Sequence, residues 1–237
     1  MLDLGSLRIR KTKRDRDERP AFTREDVQAI FRHPVWQGSQ GGYKWQEEGN
    51  FITKNGLYWV PIIGAFTGAR REEISALKVS DLEIVEGIPV LQIHPNDNRG
   101  VKNFTSRRTV PLHPQLVDLG LLAHAEAQSR VHGSDADLFP DLRPAKMPGK
   151  FGEKIDYKFR LLVKRQLKQG AKGKVFHSFR HYVTTQLGRE KDVRSRVQKD
   201  IVGHVGESIT DERYSETATI TEMMEAISRL PYLPIDR

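Results

Sequence analysis

The chain opens on about twenty residues of mixed charge with no apolar periodicity (RIRKTKRDRDERP at its heart), closed by Pro20. Beyond it the pattern becomes helical. Thr23 with Asp26 three residues later has the spacing of an N-cap and its returning carboxylate. Val27, Ile30 and Phe31 then form the i, i+3, i+4 face of a first helix. Residues 35–55 are rich in Gly, Gln and Asn and read as a loop with an element of undefined type inside it. The apolar stretch 57–66 predicts a helix ended near Thr67 and Gly68. A second helix is expected from about Arg70 to Lys78, with Ile74 and Leu77 inward.

The period then falls from 3.6 to two. Short strands are expected at about 81–85, 89–94 and 107–112, with Lys102 in the turn between the last two. After Pro114 the chain reads as helices at 115–128, 151–168, 178–188, 193–202 and 219–229. The fold class is therefore mainly α with a small three-stranded antiparallel β-sheet (α+β). In the last helix Ile220, Met223, Met224 and Ile227 make an apolar stripe, suited either to a neighbouring protomer or to its own domain.

Composition narrows the picture. No stretch approaches the roughly 18 unbroken apolar residues of a membrane span. There is no cysteine, which removes disulfides, thiolate metal sites and cysteine nucleophiles and fits a cytoplasmic protein. Lys and Arg exceed Asp and Glu by 39 to 31, a net charge of +8, and the excess clusters at 8–16, 164–174 and 189–199. Such a surface attracts polyanions, nucleic acid first among them, although solubilising charge alone accounts for many basic proteins.

Three clusters concentrate reactive side chains: FTGARREEISAL (66–77), VKNFTSRRTVPLH (101–113), and FHSFRHYV (176–183) followed by VGHVGESITDERY (202–214). Two guanidiniums can grip the nonbridging oxygens of a phosphodiester. A lysine can protonate a leaving oxygen, and a histidine can move a nucleophile's proton. A tyrosine phenol can attack phosphorus and conserve the bond energy in an ester. Taken singly, each residue has a plainer reading. Arg70 could serve as a helix-end partner of Glu73, Lys102 as a solvated surface lysine, His204 as a helix C-cap, and Tyr214 as a packing residue. His177 and His181 have i, i+4 spacing, but Arg180 between them disfavours a metal, and HSFRH lacks the acid of a zinc-protease motif. Glu72, Glu73, Asp81 and Asp211 show no metal-ligand pattern, so neither metal nor cofactor is expected.

Order and spacing change the weighting. TGARREEISAL (67–77) resembles the first arginine box of tyrosine recombinases of the phage-integrase type, and KNFTSRRTVPLH (102–113) resembles their β-hairpin lysine segment. HSFRH (177–181) resembles the second arginine box, with Phe179 where leucine is commoner. GHVGESITDERY (203–214) resembles the Gly-His step and the nucleophile beyond it. The four boxes fall in the family's order over roughly residues 20–230.

The resemblance implies that Arg70 and Arg180 clamp the scissile phosphate and that Lys102 protonates the leaving 5′ oxygen. It implies further that His177 assists proton transfer, His204 hydrogen-bonds the phosphate, and Tyr214 attacks to give a 3′-phosphotyrosine. Glu73 would orient the site without reacting, and His181 would stand beside it. Double-stranded DNA is the implied partner, with a homotetramer on DNA and a monomer without it. An accessory DNA-bending protein or excisionase is a further candidate partner, no membrane is involved, and localisation would be cytoplasmic and nucleoid-associated. Residues 1–22 would be a basic linker or arm and 23–237 the catalytic domain, a fragment without the family's N-terminal core-binding domain. The competing readings are a catalytically idle DNA-binding relative, a type IB topoisomerase-like strand cutter, and a metal-dependent nuclease or transposase.

Overall fold

The structure, a computed structural model, describes residues 20–99, 107–147, 149–203 and 217–235. Helix α1 (Arg24–Phe31) starts on the expected capping box. The Thr23 amide donates to Asp26 Oδ2 at 2.7 Å, and the Asp26 amide to Thr23 Oγ1 at 3.1 Å. Its apolar face, Val27, Ile30 and Phe31, is buried. Pro20 and Phe22, inside the stretch read as an arm, are tied to the domain. Ser178 Oγ donates to the Pro20 carbonyl, and Phe22 is buried against Phe159 and Phe179.

The 35–55 region does contain structure. Helix α2 (Pro34–Gln37) is capped by His33, whose Nδ1 accepts from the Val35 amide, and Ser39 pairs with Phe51 through two backbone bonds of 2.9 Å. Helix α3 (Gly56–Thr67) has every residue buried and forms the centre of the core. Gly68 ends it with φ 62°, a left-handed turn that costs a Cβ-bearing residue about 1 kcal/mol.

The second expected helix is shorter than its pattern. Helix α4 covers only Arg71–Ser75, although Ile74 and Leu77 are fully buried as expected. Tertiary pairing takes over the backbone there. Leu138 donates to the Leu77 carbonyl, Val79 to the Ala136 carbonyl, and the Lys78 amide to Asp81. Strands β1 (Leu82–Val85), β2 (Ile88–Ile93) and β3 (Arg108–Pro111) form an antiparallel sheet in the order β1-β2-β3, with Ile93 opposite Arg108.

The predicted 115–128 helix is split by Gly120 into α5 (Pro114–Asp118) and α6 (Leu121–His132). Helices α7 (Glu153–Leu167), α8 (Ser178–Arg189), α9 (Ser195–Val202) and α10 (Ile220–Ser228) follow within two residues of their predicted positions. Helix α8 packs on α3, and the Phe179 ring sits at the centre of a cluster with Phe22, Phe159 and Phe176. Helix α10 buries Met223, Ala226 and Ile227 against β3 and α9, so its stripe packs on its own domain. Among the described residues no helix is long and apolar enough to cross a membrane.

Candidate functional site

The site begins where α3 stops. The Gly68 turn places Arg70 one residue ahead of α4, and Glu73 on that helix reaches back to it twice. Its Oε2 accepts from the Arg70 amide at 2.9 Å, and its Oε1 meets Arg70 Nη1 at 2.5 Å. Arg70 remains about one third exposed while Glu73 is buried. Burial alone would raise the Glu73 carboxyl, but Arg108 and Arg70 outweigh that and hold it below the usual carboxylate range.

Arg180 enters from the first turn of α8 and is buried. Its Nη1 donates to the carbonyls of Gly68, at 3.2 Å, and Val202, and its Nη2 donates to that of Gly203 at 2.7 Å. The end of α3 and the end of α9 are thereby joined through one guanidinium, placed where the partial negative charge of the α9 C-terminus favours a cation. Burial, with Arg108 and Arg70 close by, pushes the Arg180 pKa down to about 9, so it is still a cation at neutral pH.

Arg108, the first residue of β3, completes the cluster and belongs to none of the sequence motifs' assigned residues. Its Nη2 donates to Glu73 Oε2 at 2.9 Å and its Nε to the Ile201 carbonyl at 3.1 Å. Period-two alternation could have found it, because Arg108 shares a strand face with the buried Val110 and Leu112. An arginine in an inward slot needs a buried partner.

Among the described residues, three guanidiniums thus gather near one carboxylate. The repulsion among them is relieved by an entering oxyanion, which a low-dielectric setting strengthens. Beside them, Arg70 and His177 line an open cleft of about 420 Å³ together with Arg71, Asp156 and Phe176. His177 is the N-cap residue of α8, half-buried, with its ring edge-on to that of His181 at 5.2 Å between centroids. Glu72 does structural work at the cleft wall, accepting from the amides of Phe151 and Gly152 where α7 begins. Among the described residues no three His, Asp or Glu side chains are grouped to hold a metal.

The structure therefore brings together Arg70, Glu73, His177, Arg180 and His181. Lys102, His204 and Tyr214 lie outside the described residues, as does the turn in which Lys102 was expected. Strand β3 follows Lys102 in the chain, and α9 ends two residues before His204.

A mainly helical domain carrying a three-stranded antiparallel sheet, with a cluster of arginines where the two meet, defines a recognisable class. The chain has the fold of tyrosine recombinase catalytic domains. It is similar to the integrase from mycobacterium phage Brujita at 18% identity and a TM-score of 0.52, over 90% of this chain and 58% of that one. It is similar to XerA recombinase at 16% identity and a TM-score of 0.51, over 92% and 61% respectively. The Tn1549 transposon integrase, solved with circular intermediate DNA, matches at 19% identity and a TM-score of 0.50, over 89% and 67%. The chain thus spans about three fifths of the length of the first of these proteins. No family profile and no curated protein matches it by sequence.

Proposed function

We propose that the chain is the catalytic part of a site-specific DNA recombinase or integrase that cuts and rejoins strands through a 3′-phosphotyrosine. The observation that carries this reading is the clustering of Arg70, Arg108 and Arg180 around the single carboxylate of Glu73, beside the cleft lined by His177. Guanidiniums grouped in this way suit a phosphodiester, whose nonbridging oxygens gain charge as phosphorus becomes pentacoordinate. Arg70 and Arg180 bind those oxygens, with His204 as a further donor. Tyr214 Oη attacks phosphorus while its proton passes toward His177. The bond from phosphorus to the 5′ oxygen breaks, and Lys102 delivers a proton to that oxygen. Reversal with a different 5′ hydroxyl joins a new strand with no metal or ATP in the balance. Double-stranded DNA is the substrate, and exchange between two duplexes uses four such sites, hence a homotetramer on DNA and a monomer without it.

The test is a nicked suicide substrate, incubated with protein in EDTA. A covalent adduct is expected, and Tyr214→Phe is expected to abolish it with DNA affinity changed less than about threefold, since one hydroxyl is lost. An adduct that survives Tyr214→Phe, or cleavage strictly dependent on Mg²⁺, would refute the mechanism.

A further inference from the structure

Arg108 has no role in the mechanism above, yet its guanidinium joins three of the elements that carry it. It stands at the head of β3, the strand that follows Lys102. It donates to Glu73 Oε2 on α4, the carboxylate whose other oxygen holds Arg70. It also donates to the Ile201 carbonyl in the last turn of α9. Gly203, which ends α9 with φ 72°, is pressed against the same side chain. A Cβ there would lie 2.9 Å from Arg108 Nη1 and 3.0 Å from its Cδ. On its other side Gly203 offers its carbonyl to Arg180. The arginine side chain is only 5% exposed, and a charge so buried needs close partners to offset its desolvation. A planar guanidinium can serve a carboxylate and a carbonyl at set angles, which a lysine ammonium cannot.

We propose that Arg108 is a positioning residue for the phosphate-binding arginines. By holding one oxygen of Glu73 it leaves the other to orient Arg70. By holding Ile201 it sets the end of α9, from which Arg180 takes two carbonyl acceptors and after which His204 follows. The inference rests on the phosphotyrosine reading above.

Single-turnover cleavage of the suicide substrate at saturating DNA tests it, with affinity measured separately. Arg108→Lys is expected to slow cleavage at least about tenfold while changing DNA affinity less than about threefold, because the loss falls on the transition state. Acting through Arg70, it should be strongly non-additive. In an Arg70→Ala background, where only the route through α9 remains to be lost, the added Arg108→Lys is expected to cost at least about threefold less than it does alone. A merely structural arginine would give the same multiplicative loss in both backgrounds, and that result, or an unchanged rate for Arg108→Lys alone, overturns the proposal. Should Arg108→Lys melt below the assay temperature, Glu73→Gln decides, since it keeps an acceptor and removes the charge that Arg108 and Arg70 share. A tenfold or larger loss that vanishes in the Arg70→Ala background supports the inference, and wild-type cleavage by Glu73→Gln defeats it. Failure of the wild-type protein to form any adduct removes the recombinase reading and the inference with it. Normal wild-type adduct formation with indifferent variants removes the inference alone.

Discussion

Two ionic networks lie within this domain, and among the described residues their charge balance differs. Around Glu73, Arg70 and Arg108 bind one carboxylate and Arg180 stands close enough to feel its charge. At the base of the sheet the tally is the reverse. Arg99 pairs with Asp81 at 3.0 Å, Lys78 with Asp97 and Asp135, and Arg143 with Asp137 at 2.5 Å, three cations against four carboxylates. The second network is also tied together by neutral groups. Asn98 donates to Asp137, Asn96 donates to Asp81, and Arg99 fills the Ala76 and Gln92 carbonyls. Mutual pairing of this kind holds the β2–β3 side of the sheet to the segment around 135–143. The Glu73 group differs in its access, since Arg70 stays about one third exposed beside an open cleft that an anion from outside can enter.

Removing one member of each network is the sharpest way to break this comparison. Arg180→Ala is expected to lower suicide-substrate cleavage about a thousandfold, the loss typical of a transition-state oxyanion donor. Asp81→Ala, which strands the buried Arg99, is expected to cost about 3–5 kcal/mol of unfolding free energy and leave the cleavage rate of folded protein within a few-fold. Chemical denaturation and single-turnover kinetics on both variants check this. A larger catalytic loss from Asp81→Ala than from Arg180→Ala would reverse the assignment of roles.

Acid gives a control on both networks, because the groups responsible belong to neither. His33 and His113 are fully buried, and burial lowers each to about 4 from an ordinary value near 6.5. Around His113, Nδ1 accepts from the Gln115 amide and Nε2 faces the Leu230 carbonyl, an arrangement that holds the neutral ring with its proton on Nε2. The unfolded chain binds these protons below pH 6.5 and the folded chain only near pH 4, so stability is full above that window and falls as pH drops through it. Each histidine should account for up to about 3 kcal/mol by pH 4. Urea melts of wild type and His113→Gln between pH 7 and 4 measure it. The variant should lose stability less steeply, and equal slopes would contradict the buried neutral imidazole.

The smallest effect sharpens the comparison by asking which group takes an anion. Sulfate at about five times its Kd should add about 1 kcal/mol, roughly 2–4 °C in Tm for a domain of this size. Arg70→Ala should lose that increment, while Asp81→Asn should keep it. Equal sulfate stabilisation in wild type and Arg70→Ala would mean that the arginine cluster is not where the anion binds.

Much of this architecture was readable in the residues. Thr23 and Asp26 announce the start of α1 because a cap bonds only across three residues, and the switch to period two marks the sheet because alternation is a local property of strands. Arg70, His177 and Arg180 were named from motif spacing, and the fold places them at one end of α3 and the start of α8. The length of α4 was not readable, since the pairing of 77–79 with 136–138 that ends it depends on a segment some sixty residues away. The loop at 35–55 was opaque for the same reason. Its Ser39 to Phe51 bridge is formed by backbone groups, which leave no mark on side-chain pattern.

What the sequence by itself determined is the set of local choices: caps, turns, apolar faces, and the order in which arginines, lysine, histidines and tyrosine occur. Only the tertiary structure decided which of those charges meet. Glu73 is shared with an arginine 35 residues away, and Arg180 closes on the Gly68 carbonyl 112 residues back. A guanidinium is specified locally as a cation with five donors, but its acceptors are helix-end carbonyls and a carboxylate that packing alone delivers. Arg108 is the case in point. Its inward slot on β3 was written in the alternation with Val110 and Leu112, whereas its partners existed only once α4, α9 and the sheet had come together.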